Sequence, residues 1–277
     1  MTDEGENMVR SLWTGATGMI AQQLNVDNIS NNLANVNTTG YKTEVMEFKS
    51  LLYQTIQTKT TTANGENKPI GAEVGLGTRN SSITSIFTQG SLLETPGPTN
   101  FAIDGNGFFG VRAADGSIHY TRNGNLTFAI AGDGMMLTTT DGLPILSSTG
   151  EPITVSNDIV VSKITVQDGT LYYPNENNIP TSMGIKIGMW QFNNPAGLKK
   201  DGDSLFSVTE ASGAAMNEAE NTNLKKSKLI QGYLEGSNVQ IADEMVNLIV
   251  AQRAYEMNSK VITTSDEMLQ QANQLKR

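Results

Sequence analysis

The chain has 277 residues, a formal net charge of −9, a single histidine and no cysteine. The lack of cysteine excludes a disulfide framework and thiolate chemistry, and the acidic balance disfavours a nucleic-acid partner. No apolar run approaches the roughly 18 residues that a membrane-spanning helix needs. The length predicts one large domain or two ordinary ones.

A polar, acidic segment, Met1 to Asn7, is predicted to be a disordered leader, with structure beginning at Met8. Val9 to Val36 then predicts a long amphipathic helix, because apolar side chains recur every seven residues. This row consists of Leu12, Met19, Val26 and Leu33. Gly15 and Gly18 each cost about 1 kcal/mol relative to Ala inside a helix. Two explanations are open: a flexible helix start, or a partner helix that approaches closely there.

That helix ends in a run of repeated asparagines between Asn31 and Asn37. They can form a polar C-terminal cap, or they can make side-chain amide bonds between neighbouring helices. Glu44 to Gln57 is predicted to be a short amphipathic segment. The Thr-, Asn- and Gly-rich run from Thr58 to Lys68 is predicted to be a loop or the tip of an extended hairpin.

The middle of the chain, Phe101 to Ser207, is predicted to be rich in β-strands. Asn-Gly and Asp-Gly pairs, which favour hairpin turns, recur there at intervals of roughly ten residues. These pairs are Asp115-Gly116, Asn123-Gly124, Asp133-Gly134, Asp141-Gly142 and Asp168-Gly169. Their spacing predicts a β-sandwich or a small barrel-like domain.

A second long helix is predicted from Asn238 to Leu275, with Ser237 or Asn238 as its N-cap. Its first heptad row consists of Ile241, Leu248, Tyr255, Ile262 and Leu269. A neighbouring row consists of Ala254, Val261, Met268 and Leu275. Val250 and Met257 widen the apolar band, which exceeds what a two-stranded seam requires. The helix is therefore predicted to contact more than one neighbour.

The two apolar helices are separated by about two hundred residues of sequence. A lone amphipathic helix is marginally stable in water. The helices must therefore pair with each other, with copies of themselves, or both.

Motifs for catalysis or cofactor binding are weak. The segment from Gly105 to Gly110 matches G-x-G-x-x-G, but no helix start follows it, as a dinucleotide site requires. His119 fits a half-exposed strand position, without a nucleophile elbow for serine catalysis. Asp201-Gly202-Asp203 is interpreted as a turn rather than a calcium loop. The chain is therefore predicted not to be an enzyme and to have no catalytic, cofactor or metal site.

Several blocks of sequence resemble the bacterial flagellar axial family of rod and hook proteins, and most closely its distal rod members. They include Arg10 to Trp13, Asn31 to Lys42, Ile103 to Phe109, Tyr120 to Gly124, Gln231 to Glu235 and Gln252 to Lys260. The resemblance covers nearly the whole chain and is most specific at both ends. It implies a structural subunit that leaves the cell through the flagellar export channel and polymerises helically into a hollow drive shaft transmitting torque to the hook.

The resemblance also implies the partners and the location. The partners are copies of the same chain in a helical filament, the proximal rod proteins, the hook protein, and the bushing rings of the periplasm and outer membrane. The location is the basal-body rod spanning the periplasm. Glu44 to Arg79 corresponds to the insertion that accompanies a stiff distal rod rather than a flexible hook.

The resulting fold prediction is α+β, with long N- and C-terminal helices forming a coiled-coil inner domain and an inserted, mostly-β outer domain. The inner domain comprises 8–37 with 237–277, a connecting region comprises 38–95 with 205–236, and the outer domain comprises 96–204. The predicted assembly interface consists of Leu12, Met19, Val26, Leu33, Ile241, Leu248, Tyr255, Val261, Ile262, Met268 and Leu269. The alternatives are a proximal rod or hook subunit of the same family, or a surface binding module on a coiled-coil stalk.

Overall fold

A computed structural model describes residues 3–57, 72–132, 134–175 and 179–274. The fold is mixed α+β, with one long helix near each end and antiparallel strands between them. The chain divides into two compact units. Unit 1 contains the described parts of Met1–Leu33, Glu44–Thr84 and Ile241–Arg277, and unit 2 contains those of Ala34–Thr43 and Ser85–Gln240.

Both predicted terminal helices are present. Helix α1 spans Asp3–Ala34 and helix α2 spans Ile241–Gln274. The prediction of a disordered leader is wrong for residues 3–7, which are helical. A polar, acidic composition does not oppose a helix start, because acidic residues are favourable in the first turn of a helix.

The strands are short. Their bounds are β1 Glu44–Ser50, β2 Tyr53–Gln57, β3 Ala72–Gly75, β4 Thr78–Ser85, β5 Leu92–Glu94, β6 Phe101–Asp104, β7 Phe108–Arg112, β8 Ile118–Thr121, β9 Leu126–Ala131, β10 Gly134–Thr139, β11 Thr154–Ser156, β12 Thr165–Gln167, β13 Thr170–Pro174, β14 Pro180–Lys186, β15 Met189–Gln191, β16 Lys199–Gly202, β17 Leu205–Ser207, β18 Met216–Asn217, β19 Lys228–Gln231 and β20 Tyr233–Glu235. Two short 3₁₀ helices, Val161–Lys163 and Pro195–Gly197, interrupt them.

In unit 1, the segment predicted to be amphipathic forms two strands. β1 pairs with β4, and β2 pairs antiparallel with β3, so that Tyr53 lies opposite Gly75. Short apolar spacings cannot separate helix from strand, and here strand pairing decides. The predicted hairpin tip, Thr58 to Lys68, lies outside the described residues.

Unit 2 is built on a six-stranded antiparallel sheet in the order β16-β17-β8-β7-β15-β18. Two three-stranded sheets, β11-β10-β9 and β12-β13-β14, and the pairs β19-β6 and β20-β5 accompany it. The predicted connecting region is divided between the units: the described part of 44–84 belongs to unit 1, and 38–43, 85–95 and 205–236 belong to unit 2.

Two of the predicted hairpin turns behave as expected. Asp115-Gly116 lies between the paired strands β7 and β8, and Asp168-Gly169 lies between β12 and β13. Both residues of the second pair have positive φ, 50° and 78°, as a primed turn requires. Asn123-Gly124 differs, because the Gly124 carbonyl accepts a hydrogen bond from the Phe101 amide at 2.9 Å and so serves another strand.

The core of unit 2 is divided into two hydrophobic clusters. The larger contains the fully buried side chains of Phe109, Val111 and Leu137. The smaller is aromatic, with Phe108, Tyr120 and Trp190 among its members. The rings of Tyr120 and Trp190 meet edge to face at 5.9 Å. The alternation of the strands produces these clusters, since it sends every second side chain inward.

Candidate assembly surface

The two long helices contact each other within unit 1. The hydroxyls of Ser11 and Ser265 are hydrogen-bonded at 3.0 Å. Towards the other end of α1, the Asn32 side-chain amide donates to Glu244 Oε2 at 3.4 Å. The early part of α1 thus meets the late part of α2, so the helices run antiparallel.

Glycines permit the close approach of these helices. A Cβ atom added to Gly15 would lie 2.9 Å from Ile262 Cγ1, and one added to Gly18 would lie 2.8 Å from Asn258 Nδ2. Such distances are too short for a real side chain without movement of the neighbour. Of the two explanations left open by the sequence, the structure favours close approach of a partner helix.

Gly15→Val is expected to destabilise the helix pair by about 1–3 kcal/mol, because the added methyl groups overpack the contact with Ile262. Helix propensity alone would predict a small gain. The matched control is Thr14→Val, which places the same side chain on an exposed position of the same turn. Helix content followed by circular dichroism during urea unfolding would measure both variants. Equal stability of the two would contradict the contact.

The buried seam of α2 is small and polar rather than apolar. Glu244, Ala251 and Ser265 are buried and Asn258 is half-buried, at strict seven-residue spacing. On α1, Ala21 and Ile29 are buried. The predicted heptad rows missed this seam. The signal that could have found it is the heptad spacing of small and polar residues, which permits close helix packing.

The predicted interface residues fall into two groups. The half-buried group consists of Leu12, Met19, Val26, Leu33, Leu248, Ile262 and Leu269. The exposed group consists of Ile241, Tyr255, Val261 and Met268. The structure brings Ile262 against Gly15, and it places Val26 and Tyr255 along one groove.

A further apolar row lies on each helix and is exposed. The outer row of α1 consists of Trp13, Ile20 and Leu24, of which Trp13 is 66% and Ile20 61% exposed. The outer row of α2 consists of Val246, Val250, Met257, Val261 and Met268, of which Val250 is 61% and Met257 63% exposed. Both rows recur at helical spacings of four and seven residues, so each forms a continuous stripe. Contiguous exposed apolar stripes mark interaction surfaces.

Asparagine side chains near the end of α1 also make contacts that the sequence did not predict, with the backbone of β1. Asn28 and Asn32 both donate to the Glu44 carbonyl, at 2.9 and 2.8 Å, and the Glu44 amide donates to Asn32 Oδ1 at 2.9 Å. These amide bonds bind a strand backbone.

Asn238 does not act as the predicted N-cap of α2, which begins at Ile241. Its Oδ1 accepts from the Thr43 amide at 2.7 Å, and its amide donates to the Ile86 carbonyl at 2.9 Å.

A buried ion cluster in unit 2 consists of Lys42, Arg122 and Glu235. Glu235 Oε1 lies 2.5 Å from Lys42 Nζ, Glu235 Oε2 lies 3.1 Å from Arg122 Nη1, and no side chain of the three is more than 2% exposed. Burial lowers the pKa of the Lys42 ammonium and of the Arg122 guanidinium, and the Glu235 carboxylate opposes both shifts. The chain passes from unit 2 to unit 1 twice, after Thr43 and before Ile241. The cluster therefore holds together the two segments of unit 2 that precede these points.

The motifs that resemble a cofactor or catalytic site belong to strands and turns of unit 2. The segment after Gly107 is the strand β7, so the G-x-G-x-x-G segment lacks the helix that a dinucleotide site needs. His119 Nε2 lies 2.8 Å from Ser117 Oγ and its Nδ1 lies 3.2 Å from Asp201. However, Ser117 Oγ also donates to Asp115 at 2.6 Å, so this hydroxyl is held by a carboxylate in a hairpin turn.

The described residues contain neither of two further features, a metal-binding cluster and a membrane-spanning helix. No group of three or more His, Cys, Asp or Glu side chains converges there to hold a metal ion. Neither described helix combines the length and the apolar content that a membrane crossing requires.

Comparisons with known proteins point to one family. Residues 12–42 match the model described as "Flagella basal body rod protein", residues 102–173 match "Flagellar hook protein FlgE/F/G D1 domain", and residues 230–275 match "Flagellar basal body rod FlgEFG protein C-terminal". The chain is 43% identical over 272 residues to the flagellar basal-body rod protein FlgG of Borreliella burgdorferi, covering 98% of this chain and 100% of that protein.

The chain belongs to the flagellar basal-body rod protein family. The protein of the same name from Agrobacterium fabrum is 44% identical over 265 residues, covering 94% of this chain and 97% of that protein. The one from Bacillus subtilis is 37% identical over 273 residues, covering 98% and 100% respectively. Its relatives are named as flagellar basal-body rod proteins, which are structural proteins and not enzymes, so this rod protein is a structural subunit of the flagellar basal body.

Proposed function

We propose that this rod protein polymerises helically into the distal rod, a hollow drive shaft that transmits torque to the hook. The observation that supports this most strongly is the pair of outer apolar rows on α1 and α2. Helix α2 packs on its antiparallel partner through a small, polar seam, and each helix leaves a second apolar row of larger side chains exposed. A helix with two interaction surfaces can contact both its partner helix and a neighbouring copy, as an assembly with several neighbours for each copy requires.

The two helices are proposed to form a coiled-coil inner domain, 8–37 with 237–277. A connecting region, 38–95 with 205–236, and an outer β domain, 96–204, would lie further from the axis. The half-buried members of the predicted interface, such as Leu12 and Leu248, would support the helix pair. The exposed members, such as Tyr255 and Met268, would meet neighbouring copies.

Burial of the outer rows would supply the free energy of assembly. Each large apolar side chain that is removed from water contributes about 1.5–3 kcal/mol. The contact repeats at every subunit, and a head-to-tail contact that does not close yields a filament. A filament held by many such contacts resists twisting, because its packed side chains have few alternative arrangements.

The proposed partners are other copies of this chain, the proximal rod proteins, the hook protein, and the bushing rings of the periplasm and outer membrane. The family names support the first three, since they refer to rod and hook proteins. The proposed location is the part of the rod that spans the periplasm, reached through the flagellar export channel.

The proposal is tested by electron microscopy of the purified chain at increasing concentration. Hollow tubes that appear above a critical concentration are expected, and a map of them should show α1 and α2 lining the tube. The proposal fails if the chain stays monomeric at every concentration. It also fails if a map shows either terminal helix free in solvent or packed only on its own β domain.

A further inference from the structure

We propose that Trp13 of one copy inserts into a groove on α2 of the neighbouring copy, making the central contact between subunits. The groove is lined by Met257, Lys260, Val261, Thr264 and Met268, with Ser11 and Ser265 at its edge. This inference rests on the proposed function, because it identifies which surfaces meet when copies assemble.

Trp13 has the properties of an interface anchor. It is 66% exposed on the outer row of α1, although exposing an indole to water costs more free energy than exposing most other side chains. The only other tryptophan, Trp190, is buried in the core of unit 2. Tryptophan is enriched among the residues that dominate binding energy at protein interfaces, where it fills a pocket on the partner.

The groove has the chemistry that an indole requires. Its methionines are flexible and polarisable, so they adapt to a flat ring and make favourable sulfur–aromatic contacts. Lys260 lies at the rim, where its ammonium can stack over the ring face as a cation–π partner. The groove lies along the outer row of α2 and borders the buried seam, since the seam residue Ser265 lies at its edge.

Ring and groove lie at the same level along the helix pair. Ser11 meets Ser265, and Gly18 meets Asn258, so the level of Trp13 on α2 falls between those two contacts, within the groove. In a polar filament all copies point the same way, so α1 of a neighbour runs antiparallel to α2, and the two helices are level when the neighbour lies beside the first copy without an axial shift. A second copy set beside the first therefore presents Trp13 to the groove and Ile20 to Met257.

Charges beside the two rows are complementary in this arrangement. Asp27 flanks the outer row of α1, and Arg253 flanks that of α2. In an antiparallel helix pair, residues on corresponding sides of the two apolar rows face each other. Asp27 of one copy and Arg253 of the other then lie within about one helical turn of each other. The occupant that fits the groove is thus α1 of a second copy, and the contact joins different surfaces of the two copies.

Disulfide cross-linking tests the contact, because the chain has no cysteine of its own. Ile20→Cys and Met257→Cys are made separately and together, assembled and mildly oxidised. We expect dimers from a mixture of the two single variants, a ladder of multimers from the double variant, and little product from either single variant alone. The control pair, Ser11→Cys with Ser265→Cys, should cross-link within one chain, since these hydroxyls lie 3.0 Å apart.

Tryptophan fluorescence gives a readout that does not depend on a substitution. Trp190 is already buried, so assembly should change the emission of Trp13 alone, shifting it to shorter wavelength and protecting it from acrylamide. Trp13→Ala should raise the critical concentration about tenfold or more, and Trp13→Phe should have a smaller effect.

The outcomes separate this inference from the proposed function. Tubes in which Trp13 stays open to acrylamide, or in which only single variants cross-link, overturn the Trp13 contact and leave the drive-shaft function intact. An absence of tubes at any concentration overturns both. A ladder from the double variant together with a protected Trp13 supports the contact.

Discussion

Glu235→Gln is expected to destabilise unit 2 by about 3–5 kcal/mol, the effect of removing one partner from a buried ion pair. The amide retains the shape of the carboxylate but leaves Lys42 and Arg122 as buried, uncompensated cations. The variant also weakens the acceptor of the Gly90 amide, which lies 3.0 Å from Glu235 Oε1. These segments come from distant parts of the chain, so the loss should loosen the whole unit.

Thermal unfolding followed by near-ultraviolet circular dichroism measures this effect, because the aromatic cluster of unit 2 gives the signal. The melting temperature should fall by roughly 10 °C or more. Glu94→Gln is the matched control: Glu94 is exposed on β5, the strand that pairs with the strand of Glu235, and its loss should change little. A melting temperature of Glu235→Gln within a degree or two of the control would contradict the role of the cluster.

The pH dependence of this variant has a definite sign. Burial lowers the pKa of Lys42 below its ordinary value of 10.5, and Glu235 opposes that shift. Without Glu235 the penalty for the charged ammonium is fully present below the folded-state pKa. It disappears as the pH rises past 10.5, the ordinary pKa, because the amine is neutral in both the folded and the unfolded state above that value. The stability deficit of Glu235→Gln should therefore shrink at alkaline pH, and only in part, because Arg122 stays charged.

Val250→Asp is expected to abolish assembly while leaving the monomer folded. Val250 is 61% exposed on the outer row of α2, so in the monomer the carboxylate remains in water and stability should change by about 0.5 kcal/mol or less. In the proposed interface the same carboxylate would be buried without a partner, which costs several kcal/mol at every subunit. The critical concentration should rise more than about a hundredfold.

Two further substitutions on α2 sharpen this prediction. Leu248→Asp changes a half-buried residue one turn from the seam residues Glu244 and Ala251, so it should weaken both the helix pair and assembly. Thr263→Asp places the same charge on an exposed position off the outer row and should leave both intact. Sedimentation and electron microscopy of the three variants measure assembly, and circular dichroism measures helix content. Normal tubes from Val250→Asp would contradict the interface.

Periodicity in the sequence determined the elements at both ends of the chain. Apolar side chains at seven-residue spacing identified α1 and α2, since only a helix brings such positions onto one face. Asp-Gly pairs located the hairpins β7–β8 and β12–β13, because primed turns need residues that tolerate positive φ. The blocks resembling rod and hook proteins identified the family, which the comparisons confirmed.

Only the tertiary structure decided which face of each helix is buried and where the polar residues bind. A wide apolar band offers several equivalent faces, and close packing at Gly15 and Gly18 selects the one with small side chains. The pairing of Lys42 with Glu235 joins residues that are far apart in sequence, and no local pattern encodes such a contact. The spacing of apolar residues determines whether a segment forms a helix or a strand. Which face of that helix is buried depends on the shape of the element that packs against it.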